Sequence, residues 1–155
     1  MSRTKTEAEL LRVCLQDLYA GCCALYDRAP TVTDHARGEA LRRALHTFIQ
    51  NCEVRAQRLI DVEDVRGGPE NLWMAGILDD AERDTESHTH GNLLDIALVG
   101  AIRKALAAEI VSVETAFGLA NRLRRAAIAD TLSKNISDLM HSDEELKIVL
   151  SALTA

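Results

Sequence analysis

The sequence predicts an all-α protein built as a helical bundle, and three observations carry that expectation. Hydrophobic residues make up 47% of the 155-residue chain but aromatics only 3%, so the apolar mass is aliphatic and dominated by Ala and Leu. Glycine occurs 8 times and proline 2 times, which leaves few residues that interrupt a helix. Apolar residues recur at three- and four-residue steps along most of the chain, the spacing of one face of an α-helix.

The first stripe is Leu11, Cys14, Leu15, Leu18, Cys22 and Leu25. It predicts a helix from about residue 6 to 28, closed by Pro30. A polar turn follows, with Thr33 or Asp34 as the N-cap of the next helix. That second helix is expected from about 36 to 62 on the stripe Leu41, Ala44, Leu45, Phe48, Cys52, Ala56 and Leu59. The charged stretch Asp61 to Gly68 breaks it, and Pro69 opens a third, shorter helix from Glu70 to about Ser87. Leu72, Trp73, Gly76, Ile77 and Ala81 supply the apolar side of this short helix, and its last turns are polar.

After Gly91 the longest pattern begins, through Leu94, Ala97, Leu98, Ala101, Ile102, Ala105, Ala108, Ser112 and Ala116, with Leu119 and Leu123 extending it. A last stripe runs through Ile128, Leu132, Ile136, Leu139, Leu146 and Leu150. One helix from 92 to 153 would be about 90 Å long at 1.5 Å per residue, too long for one domain of this mass. A break is therefore required, and Asn121 to Ala126 is its place, because Asn tolerates the left-handed conformation at a helix end.

Four long helices and one short one result. Short turns make helices one and two antiparallel neighbours, and likewise the last two. About 30 residues separate the pairs, enough to run the length of a bundle. The expected architecture is a ferritin-like four-helix bundle with a short fifth helix in the long crossover between helices two and three. It forms one domain over residues 1–155, with an ordered core from about 6 to 153.

Composition narrows the function. A net charge of −6 and few aromatics argue against a nucleic-acid binder. The stretch Met1 to Glu9 is polar and holds no signal-peptide core, and no apolar run reaches membrane-spanning length. Four cysteines without a secretory signal read as reduced thiols in a cytoplasm.

A di-metal site in a bundle needs inward carboxylates from four helices and E-x-x-H pairs on two of them; the sequence contains no E-x-x-H. Glu109 lies on the core side of its helix and reads as a buried carboxylate held by an Arg or a hydroxyl rather than as a metal ligand. Asp138 and His141 form a D-x-x-H whose simpler role is solvated or capping. His46 and Asp17 each lie one step off a stripe. His88 and His90 flank Thr89 just before Gly91; H-T-H can act as a surface metal chelate, but an exposed loop is the simpler reading. Cys14 and Cys22 share a face with Cys52 opposite, and core packing explains them more simply than redox chemistry centred on Cys22 and Cys52. Arg122, Arg124 and Arg125 read as a solvated helix end that complements the dipole. No nucleophile arrangement, phosphate loop or EF-hand occurs, so no catalytic or cofactor-binding residue is assigned.

The order of short segments resembles a known family. Asp17-Leu18-Tyr19, Leu41 to Leu59, Trp73-Met74-Ala75-Gly76-Ile77-Leu78, and Asp95-Ile96-Ala97-Leu98-Val99 running into Glu109-Ile110 are similar to the bacterial YciE/YciF ferritin-like stress proteins, from about residue 7 to 150. The resemblance implies a ferritin-like bundle, often a homodimer, with a di-iron-type site in members that keep their ligands. By the same resemblance, a helix-one glutamate is replaced by Cys22. The helix-two H-x-x-E falls on Phe48 and Asn51. The helix-three E-H-Y-E falls on Leu106, Ala107, Ala108 and Glu109, and the helix-four acidic pair on Asp138 and Leu139. Glu109 and Asp138 alone remain anionic.

The sequence reading is a non-enzymatic, cytoplasmic bundle protein without cofactor. It has lost the di-iron site, forms a homodimer, has no nucleic-acid or membrane partner, and serves a stress-related role implied by the resemblance. The alternative is a metal-binding bundle that holds iron or another divalent metal through Glu109, Asp138 and His141. A thiol-based sensor using Cys22 and Cys52 is the third reading.

Overall fold

Five α-helices and no strand are found in the computed structural model, which describes residues 3–155; Met1 and Ser2, the start of the polar N-terminal stretch, lie outside the described residues. The helices are α1 (Glu7–Thr33), α2 (Glu39–Val62), α3 (Leu72–Ser87), α4 (Asn92–Arg122) and α5 (Ala126–Leu153). α1 packs on α2 and α4, and α5 packs on the same two, so the four long helices form the ring α1–α2–α5–α4 around a shared aliphatic core. α3 lies outside that ring, against α1 and α4. No helix is long and apolar enough to cross a membrane among the described residues.

α1 starts on a capping box, in which the Thr6 hydroxyl accepts from the Glu9 N–H and the Glu9 carboxylate accepts from the Thr6 N–H. Its end departs from the sequence expectation, because the helix runs through Pro30 to Thr33. Proline removes one donor, but Ala29 and Val32 are fully buried on the same stripe, and that packing holds the extra turn.

α2 begins later than the expected residue 36, at Glu39, and its N-cap is Gly38 rather than Thr33 or Asp34. Glycine offers no capping side chain. Asp95 of α4 holds the entry to the helix from across the bundle, accepting from the Arg37 N–H at 2.9 Å and the Gly38 N–H at 2.7 Å.

The crossover is tied to α1 by Asn71, which caps α3 by accepting from the Met74 N–H and donates to the Asp17 carbonyl. Trp73 Nε1 donates to the Asp17 carboxylate. A Cβ at Gly21 would stand 2.8 Å from the Asn71 amide, so this approach requires glycine. α3 therefore starts two residues after the expected Glu70 and is turned from its expected face. Met74, Leu78 and Ala81 are buried, while Leu72 is 76% exposed.

α4 and α5 break in the expected interval, but Arg124, not Asn121, adopts the left-handed conformation, with φ 56°. The Arg124 N–H bonds Asn121 O at 3.0 Å and the Arg125 N–H bonds Ala120 O at 2.8 Å, the paired bonds of a Schellman motif. Exposed Arg124 makes no ion pair among the described residues, so Arg124→Gly is expected to stabilise the protein by about 0.5–1 kcal/mol. A rise in the urea midpoint at unchanged slope is the readout.

Candidate functional site

The centre of the bundle holds a polar cluster within an apolar shell. α1 contributes Cys22, α2 contributes Phe48, Cys52 and Arg55, and α4 contributes Glu109. The Arg55 and Glu109 side chains are each 1% exposed. Arg55 Nη2 lies 3.3 Å and 3.4 Å from the two Glu109 oxygens and 3.5 Å from Cys52 Sγ. The Cys52 thiol donates to the Phe48 carbonyl at 3.3 Å, and the Cys22 thiol points to Glu109 Oε2 at 3.9 Å. The guanidinium carbon lies 5.7 Å from the centre of the Phe48 ring, within cation–π range. Arg55 Nε and Nη1 have no partner among the described residues. The pair is thus held through one nitrogen rather than as a two-pronged fork.

The electrostatics follow from burial. Burial raises the Glu109 carboxyl above the ordinary range, with Arg55 first and Cys22 second among the groups pulling it down. Arg55 is disfavoured by burial, but the Glu109 carboxylate, Cys22 and Cys52 hold it above its ordinary value. Both inner thiols are pushed up, Cys22 by burial and then by Glu109, and Cys52 by burial to about 12. A thiol held neutral is a poor nucleophile. Slow labelling of Cys22 and Cys52 by an aromatic disulfide reagent is therefore expected in the native protein, with the partly exposed Cys23 labelling fastest and Cys14, also pushed up by burial and by Asp17, slower than Cys23. Four fast thiols would contradict this.

The structure places the other sequence candidates apart from this cluster. Asp138 pairs with Arg58 of α2 at 2.6 Å, and Arg58 also donates to Asn135. The His141 side chain is 74% exposed, 3.5 Å from Glu145. His46 is exposed. Asp17 serves the α1–α3 contact. Arg125 pairs with Glu63 at 2.8 Å, and Arg122 with Glu7 at 2.9 Å. Among the described residues, no group of three or more His, Cys, Asp or Glu is placed to hold a metal ion. The donor set around Glu109 does not fit a di-metal centre, because a guanidinium repels a divalent cation and Cys22, Phe48, Cys52 and Leu106 fill the surroundings as apolar or neutral groups.

Arg55 is absent from the sequence-based stripe, which follows Ala56 instead. The signal was present: Phe48, Cys52, Arg55 and Leu59 step by four, three and four, so Arg55 occupies a core position. Charge alone marks it as a surface residue.

Comparison with known proteins agrees with this architecture. The family described as Domain of unknown function (DUF892) matches residues 6–155. The Escherichia coli stress protein YciF has a similar crystal structure, with a TM-score of 0.90 and 22% identity over 97% of this chain and 98% of that one. YcfI from Rhodopseudomonas palustris is also similar, with a TM-score of 0.89 and 21% identity over 95% of this chain and 97% of that one. At these identities the likeness shows the fold alone. No curated protein matches the sequence. The chain belongs to the DUF892 family and is of the YciE/YciF type.

Proposed function

We propose that this chain is a metal-free, ferritin-like bundle that acts by its structure and its contacts rather than by catalysis. One observation carries the reading: the guanidinium of Arg55 sits beside Glu109 at the bundle centre, supplying from a side chain the positive charge that a carboxylate there would otherwise take from a metal. Cys22, Phe48, Leu106 and Leu139, each at most 2% exposed, support it, since buried carboxylates left without a metal are costly and apolar residues fill such positions well. In this reading the protein has lost a di-iron site, works as a cytoplasmic homodimer, and takes neither nucleic acid nor membrane as a partner. A stress-related role is suggested by the likeness to YciF, a stress protein of Escherichia coli.

Metal analysis tests it. The full-length protein, produced in iron-rich medium and purified without chelator or affinity tag, is expected to carry iron, manganese and zinc all far below one equivalent. Stoichiometric iron that survives dialysis would overturn the proposal.

A further inference from the structure

Two histidines far apart in sequence meet at one end of the bundle. His35 lies in the turn between α1 and α2, His90 in the turn between α3 and α4, and their ring centres are 5.0 Å apart with the planes at 64°. We propose that His35 and His90 form a site for a borderline divalent transition metal of the nickel, copper or zinc class, separate from the bundle centre.

The hydrogen bonding of His90 supports a ligand role. Its Nε2 lies 3.1 Å from the Thr85 carbonyl oxygen. A carbonyl only accepts, so Nε2 is the donor, and in the neutral imidazole this tautomer leaves the Nδ1 lone pair free for a metal. This is how metal-binding imidazoles are oriented, with the second nitrogen donating to a backbone carbonyl. Neither ring nitrogen of His35 is bonded among the described residues, which leaves that ring free to turn a lone pair toward a shared ion.

The backbone under both rings is held by α4. Gly91, at φ 115°, directly follows His90 and is the N-cap of α4. Asp95, one turn into α4, holds the Arg37 and Gly38 amides of the other turn. Both histidines therefore stand on turns anchored to one helix, and such anchoring lowers the ordering cost of binding. Two imidazoles favour nickel, copper and zinc over magnesium or calcium. No third His, Cys, Asp or Glu completes the group among the described residues, so water fills the remaining positions and the ion exchanges readily. His88 is occupied elsewhere, 3.4 Å from Asp84.

Nickel(II) titration of the full-length protein, with thiols kept reduced by a non-coordinating phosphine, tests the proposal. Calorimetry is expected to show one equivalent bound. His35→Ala and His90→Ala should each weaken binding at least ~tenfold, since even outer-shell changes cost 10- to 100-fold, while His88→Ala leaves it unchanged. In NMR spectra of the wild type, the ring signals of His35 and His90 should broaden together at the lowest nickel additions. His35→Gln and His90→Gln, which keep a polar side chain of similar reach, should match the alanine variants. Equal affinity in all variants, first broadening at His46, His88 or His141, or no stoichiometric binding would overturn the proposal. The outcome is independent of iron content as purified, so it can fail while the metal-free reading of the bundle centre stands.

Discussion

Arg55→Leu destabilises the protein by about 3–5 kcal/mol at neutral pH, whereas the double change Arg55→Leu, Glu109→Leu returns it to near wild-type stability or above. The asymmetry comes from what each variant leaves behind. The single change removes the counter-charge from a carboxylate whose side chain is 1% exposed, and Glu109 must then either stay ionised in an apolar core or take up a proton. The double change removes both desolvation penalties and puts aliphatic volume where Leu45, Phe48, Leu106 and Leu139 already form the core. Arg55 makes the penalty of the native pair larger than usual, because its Nε and Nη1 have no partner among the described residues. Urea unfolding of the two single variants and the double variant closes the cycle. A double variant less stable than both single ones would show that the pair contributes net stability.

The pH dependence has a definite sign. Burial raises the Glu109 carboxyl in the folded protein, so the folded state binds this proton more tightly than the unfolded chain does. The contribution of this group is full below the ordinary glutamate range and declines as pH rises through the folded value. Removing Arg55 takes away the largest opposing pull and moves that decline to higher pH. The defect of Arg55→Leu should therefore shrink on acidification from neutral toward the ordinary glutamate range, as Glu109 becomes protonated. Glu109→Leu should remove the effect.

Asp95→Ala is expected to cost about 2–4 kcal/mol. Asp95 is 2% exposed and its two oxygens accept from the Arg37 and Gly38 amides. Hydrogen bonds to a charged group contribute about 1.5–3 kcal/mol each, and a buried donor left without a partner adds its own penalty. Part of this is the loss of the contact that fixes the entry of the chain into α2. Water reaching the part-buried amide of exposed Arg37 offsets some of the remainder. Asp95→Asn keeps one acceptor and turns an amide toward the second N–H, so it should recover less than half of the loss. Amide exchange localises the effect: the first turn of α2 should exchange faster in Asp95→Ala, while the centre of α5 changes only with global stability. Uniform acceleration across all helices would argue against a local capping role.

The helices were legible because each long one carries its own apolar period. The breaks after α2 and α4 were legible because charge, glycine or simple length demanded them. Errors cluster where another helix supplied what the local sequence lacked. Thr33 or Asp34 was expected to cap α2, but they became the last residue and the C-cap of α1, since buried Val32 holds that turn in the helix. Gly38 serves as a cap because Asp95 comes from α4. The face of α3 was misjudged because the apolar pair Leu72-Trp73 directly precedes the buried Met74, and only the contact with α1 through Asn71 and Trp73 sets the rotation.

The same division runs through the central site. Sequence marked Glu109 as a core-facing carboxylate in need of a partner, from its place between Ala105 and Ser112. It also marked Cys22 and Cys52 as inward thiols. It left Arg55 unassigned, because charge marks an arginine as a surface residue even where its register, as here, places it on the core face. Its counter-charge lies on another helix. The sequence alone determined the all-α bundle, since helix formation and apolar facing depend on neighbours three and four residues apart. The tertiary structure alone decided that Arg55 meets Glu109, that Asp95 holds the entry to α2 and that His35 meets His90. Those pairings join residues on separate helices or turns, and only packing of the whole core brings them within bonding distance.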